Sequence, residues 1–148
     1  MNLKRDDLLS QLRGMDGHEF EELVADVWEQ RGWETTVTTG SGDDGIDVIA
    51  EKSGAISEKH VIQAKCYAKS SKIGPSDIRD FNTGIELEGN VDVGIFVTTS
   101  SFTSEAKKTA KRVNVKLING KGLCEIVLAL NSQQFLSNYL HTEPTFKR

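Results

Sequence analysis

The sequence of 148 residues predicts an α/β fold, a central mixed β-sheet flanked by helices. Three observations predict it. One amphipathic helix beginning at Asp16 is followed by three consecutive strand-like segments, which suggest an antiparallel meander. Helical and strand-like segments then alternate, and a helix between two strands calls for a right-handed parallel crossover. Finally, Val91 to Thr98 is a nearly continuous apolar run, as expected of a central strand covered on both faces.

Residues 1–15 read as a short polar helix or arm, in which Leu3, Leu8, Leu9 and Leu12 make a weak helical stripe. Asp16 can cap the next helix, with Glu19 as its capping-box partner. Phe20, Leu23, Val24, Val27 and Trp28 then fall on one helix face, and Gly32 supplies the stop. Trp33 to Thr38 alternates and is β-branched, so it reads as a strand. Thr39 to Gly45 is dense in residues that tolerate unusual backbone angles and reads as a turn. Ile46 to Ala50 forms the second strand and His60 to Tyr67 the third. Gly74-Pro75 opens a helix over Ser76 to Leu87, with Ile78, Phe81 and Ile85 on one side. After the central strand, Ser101 or Thr103 caps a helix running to about Val113, with Phe102, Ala106, Ala110 and Val113 inward. Val115 to Ile118 is a last short strand and Gly120 to Leu130 a last helix. Residues 131–148 read as a tail, which leaves 16–130 as the principal domain.

The length suits one domain and buries about two-thirds of the unfolded surface, so no covalent or metal staple is needed. With 37% hydrophobic and 27% charged residues, the composition is that of an ordinary globular chain. No apolar run approaches the ~20 residues of a membrane span, and the first residues lack the apolar stretch of a signal peptide. Cys66 and Cys124 match no zinc spacing and read as reduced thiols of a cytoplasmic protein. A net charge of −4 argues against a generic basic nucleic-acid coat. It is compatible with a local basic surface around an acidic metal site.

Two strands carry polar residues where a buried sheet prefers aliphatic ones. Asp47 interrupts the apolar run Ile46 to Ala50, and alternation places Gln63 and Lys65 on one face of the third strand. If these strands are neighbours, a carboxylate, an amide oxygen and an ammonium converge. That set suits phosphodiester hydrolysis. Magnesium takes oxygen ligands: Asp47, the Gln63 side-chain oxygen and the Ala64 carbonyl, with Glu21 contributing through water. Lys65 can orient the attacking water or stabilise the anionic transition state. The same residues also fit a plainer account, an acid beside a Gly-rich turn and the wet face of an edge strand.

Phe20-Glu21, Gly32, Asp43-Asp44-Gly45-Ile46-Asp47, Gln63-Ala64-Lys65, Gly94-Ile95-Phe96-Val97-Thr98-Thr99, Phe102, Ala106 and Leu117-Ile118-Asn119-Gly120 occur in one order. As a linked set, from about Asp16 to Leu128, they resemble the catalytic domain of Mrr-type restriction endonucleases. These belong to the restriction-endonuclease-like PD-(D/E)XK superfamily, here in its Gln-x-Lys form. The resemblance implies a three-layer α/β/α core and a magnesium-dependent DNA endonuclease, with manganese able to substitute. It makes Asp47 the metal carboxylate, Gln63 the occupant of a position that is glutamate in many relatives, Lys65 the catalytic lysine and Glu21 the helix glutamate.

Lys69 and Lys72 follow this site and are candidates for DNA-backbone contacts. Thr98 and Thr99 are candidates too, or else bond within a strand-to-helix turn. Asp43 and Asp44 read as turn residues aiming the strand. Lys107, Lys108, Lys111 and Arg112 read as a solvated helix face, and Trp28 and Trp33 as packing residues. The expected assembly is a homodimer, since each site cuts one strand at a time. DNA recognition lies in a separate domain that has been removed or in a partner subunit, or there is little sequence preference. Two other functions remain open: a non-catalytic nucleic-acid-binding or assembly module, and a structure-specific nuclease such as a junction resolvase.

Overall fold

The computed structural model describes residues 4–38 and 45–140. Its elements run α1 (Arg5–Arg13), α2 (Gly17–Gln30), β1 (Glu34–Val37), β2 (Val48–Lys52), β3 (Glu58–Lys65), α3 (Pro75–Glu88), β4 (Val93–Thr98), α4 (Ser104–Val113), β5 (Val115–Ile118), α5 (Gly120–Ala129) and α6 (Gln133–Tyr139). The strands form one sheet in sequence order. β1, β2 and β3 pair antiparallel, while β3–β4 and β4–β5 are parallel. This is the expected meander followed by parallel crossovers.

The two faces of the sheet build two cores. Ile62 and Ala64 of β3, with Val48 and Ala50 of β2, pack with Phe20, Leu23 and Val27 of α2 and with residues of α1, α5 and α6. On the other face, Val61 and Phe96 pack with Ile78 and Phe81 of α3 and with Ala106 and Ala110 of α4. Phe81, Phe96 and Phe102 meet edge-to-face, with centroids 5.7 and 5.8 Å apart. Helices therefore cover both faces, giving a three-layer α/β/α fold.

Strand direction decides which ends of the helices surround the site. β3, β4 and β5 run the same way and hand over to α3, α4 and α5 at their C-terminal ends. β1 points that way too, and α2 runs back into it, so the N-termini of four helices lie at one end of the sheet. Each start has its own device. Asp16, Thr103 and Asn119 accept hydrogen bonds from Glu19, Ala106 and Gly122 N–H groups. Pro75 opens α3, where Asp77 accepts from the Gly74 N–H.

The short helix expected near the N-terminus is α1, and its stripe of Leu8, Leu9 and Leu12 is buried in the core. The C-terminal end differs from expectation. The expected tail contains α6, which buries Phe135 and Leu136, with Leu140 just beyond it. Tyr139 fastens it by donating its hydroxyl to Asp26 at 3.0 Å. The tryptophans are packing residues, as expected. Trp28 is buried and donates its indole N–H to His60 Nδ1, while the half-buried Trp33 stacks on that imidazole.

Candidate active site

Alternation along β3 puts Gln63 and Lys65 on the α3 side of the sheet, beside Phe96 and Thr98 of β4. Gln63 is buried, 7% exposed, and Lys65, at the strand's end, is half-buried.

Asp47 does not lie within β2, as expected, but immediately before it. Its N–H donates to the Ile62 carbonyl at 2.9 Å, although the register already sets Val48 opposite Ile62. Two residues thus face one partner, the pattern of a β-bulge. The cores show the same slip. Val48 and Ala50 face α2, and regular alternation would send Ile46 there too, yet Ile46 packs with the opposite core. The extra residue is Asp47. Its carboxylate is set at the seam of the sheet, where Oδ2 accepts a hydrogen bond from the Ala64 N–H at 2.8 Å. Gly45, two residues earlier, has φ +75°. A Cβ there would stand 3.2 Å from Gln63 Oε1 and 3.5 Å from Phe81 Cα, so glycine serves both the backbone angle and the close approach.

Glu21 comes from the other layer. It neighbours the buried Phe20 on α2 and is half-buried itself. Burial first, then the charge of Asp47 and a hydrogen bond with it, push the Glu21 carboxyl above its ordinary value; His18 and Lys65 pull it back. Glu21, Asp47 and Lys65 therefore share one electrostatic neighbourhood, two carboxylates against one ammonium. Gln63 and the Ala64 backbone adjoin it through Gly45 and Asp47. Among the described residues, no three His, Cys, Asp or Glu side chains cluster as a metal site.

Lys69 and Lys72 are exposed on the loop between β3 and α3. Thr98 and Thr99 require a correction: both are fully buried, so neither hydroxyl reaches a phosphate. Thr98 Oγ1 accepts from the Ser100 N–H, and Thr99 Oγ1 bonds the backbone of Tyr67. The alternative of bonding within the strand-to-helix turn holds for Thr98. Asp43 and Asp44 lie outside the described residues. The basic face of α4 is exposed at Lys107, Lys108, Lys111 and Arg112. Sequence reasoning missed Arg13, half-buried on α1, whose Nε donates to the Thr99 carbonyl at 3.1 Å; nothing local marks it.

Residues 12–127 match the Mrr_cat family, described as restriction endonuclease. The chain belongs to this Mrr-type family. It is 28% identical over 129 residues to the type IV methyl-directed restriction enzyme EcoKMrr of Escherichia coli K12, covering 83% of this chain and 41% of that protein. It is 36% identical over 88 residues to the uncharacterized protein y4cE of Sinorhizobium fredii, covering 58% of this chain and 22% of that one. The Mrr-type domain thus spans well under half the length of these relatives. Its fold is shared with the DNA modification-dependent restriction endonuclease AspBHI, at a TM-score of 0.72, 15% identity, and 94% and 40% coverage of the two chains. It is shared also with MspJI restriction endonuclease, solved with a 27-mer oligonucleotide, at 0.65, 20%, and 95% and 38%.

Proposed function

We propose that this chain is the metal-dependent catalytic domain of a DNA endonuclease that hydrolyses phosphodiester bonds. The observation that carries this is the meeting of Glu21, Asp47 and Lys65 at one end of the sheet. A carboxyl whose ionisation is resisted by burial and by a neighbouring carboxylate makes a place that a cation stabilises. The donors are oxygens throughout, which suits Mg²⁺, with Mn²⁺ able to substitute.

Asp47, Glu21, the Gln63 amide oxygen and the Ala64 carbonyl would hold the ion. When bound, it acidifies a water and offsets charge on the phosphate. The chain's own residues do the rest. The Ala64 N–H fixes the Asp47 carboxylate, and Gly45 leaves room for the Gln63 amide. Lys65, half-buried at the strand end, supplies a positive charge toward the phosphate in the transition state. Lys69 and Lys72 contact backbone phosphates and so contribute affinity rather than sequence choice. Pairing of two copies would cut both strands, and recognition of a particular or modified sequence belongs to a further domain or subunit.

A plasmid-nicking assay tests the reading, run with Mg²⁺ or Mn²⁺, with EDTA and with Asp47→Ala. Nicking that requires both the ion and Asp47 is expected. Folded protein that cuts neither plain, methylated nor branched DNA would shift the assignment to a binding module.

A further inference from the structure

Thr99 is fully buried, yet its hydroxyl and its N–H are both spent on the segment that carries Lys65. Its Oγ1 accepts from the Tyr67 N–H at 2.8 Å and donates to the Tyr67 carbonyl at 2.7 Å. Its own N–H donates to the Lys65 carbonyl at 3.2 Å. Its carbonyl accepts from Arg13 Nε at 3.1 Å. The start of α5 packs close against that carbonyl from another side, for a Cβ on Gly120 would fall 2.4 Å from it.

The regular β3–β4 ladder ends with Lys65 beside Thr98. One residue later the Thr99 hydroxyl takes over as both donor and acceptor and carries the pairing on to Tyr67. Between these two anchors, the Cys66 thiol donates toward the Leu12 carbonyl at 3.2 Å, tying the same stretch to α1. The chain leaving Lys65 is thus pinned on both sides. A buried hydroxyl bonded twice to one residue's backbone is costly to lose, because both groups of that residue are left unpaired.

We infer that Thr99 is a positioning residue for the proposed nuclease: its hydroxyl fixes the backbone after Lys65 and so places the lysine ammonium against the reacting phosphate. The inference rests on the nuclease reading for its catalytic consequence and on hydrogen bonding alone for its structural one.

The test compares Thr99→Val, nearly the same shape without the hydroxyl, with Thr99→Ser, which keeps it. Single-turnover cleavage by Thr99→Val is expected to fall about 10-fold or more, since small misplacements of a reacting group are expensive. DNA affinity, measured with Ca²⁺ in place of Mg²⁺, is expected to change less than about 3-fold, because phosphate contacts elsewhere dominate it. Thr99→Ser should restore the rate. Amide hydrogen exchange at Tyr67, read without DNA, should quicken in the valine variant and not in the serine one. Cleavage by Thr99→Val within about 2-fold of wild type at full occupancy, or loss of rate and affinity in step, overturns the inference. So does unchanged exchange at Tyr67. If wild type cuts no DNA, the nuclease reading and the catalytic consequence fall together, while the exchange comparison still decides whether Thr99 fixes this backbone.

Discussion

At the scale of single residues, the candidate site sets one carboxyl where its charge is unfavourable. Glu21 is held above its ordinary pKa by burial and by Asp47. A carboxyl whose folded pKa is raised detracts from stability as pH rises through its unfolded value, and fully so above its folded one. Metal-free Glu21→Gln is therefore expected to melt higher than wild type at neutral pH. Added Mg²⁺ should raise the wild-type melting temperature and raise the variant's much less, which differential scanning fluorimetry would show. Equal shifts would remove Glu21 from the metal site. Lys65→Ala makes the complementary prediction. It should fold and bind DNA, yet lose cleavage by roughly 10²–10³-fold, the scale of a transition-state charge contact. Single-turnover kinetics at saturating protein would measure this, and an unchanged rate would end the assignment of its role.

At the scale of elements, legibility followed the length and period of each pattern. The face of α2 and its Asp16 cap were readable because five apolar residues repeat at helical spacing behind a capping side chain. The face shared by Gln63 and Lys65 followed from strand alternation in a well-paired β3. Alternation failed at Asp47, because a bulge depends on tertiary pairing and leaves no mark in a five-residue window. Thr98 and Thr99 misled for a related reason: hydroxyls at a strand end look available until the loop they hold is known. Helix α6 is seven residues long, too short for its two buried residues to show a period. Its worth is measurable. Phe135→Ala removes a ring that is 2% exposed and should cost about 3–5 kcal/mol in denaturant unfolding. A loss below about 1 kcal/mol would mean that α6 is merely laid on the domain.

At the scale of the whole molecule, the net charge of −4 is made of acids and bases at both ends of the sheet. The end of the sheet remote from the site carries Glu34, Glu51, Glu58 and Asp92, offset by Lys52 and Lys59. The site end gathers four helix N-termini, whose partial positive charges are met by Asp16, Glu19, Asp77 and Glu105, together with the exposed Lys69 and Lys72. Lys69→Ala and Lys72→Ala should each flatten the dependence of log Kd on log salt by about one unit, alike for unrelated DNA sequences. Filter binding across a salt series would show it, and unchanged slopes would place the DNA track elsewhere. The Asp47 slip bears on how such a protein can change. Glu21 rides on the helical layer at one face of the sheet, and Gln63 and Lys65 look into the other. Either layer can be repacked, but a repacking that shifts one relative to the other parts Glu21 from Lys65. Tolerated substitutions around Leu23 and around Phe81 should then arise as matched pairs across the sheet, and variants altered in one layer alone should lose cutting before they lose the fold.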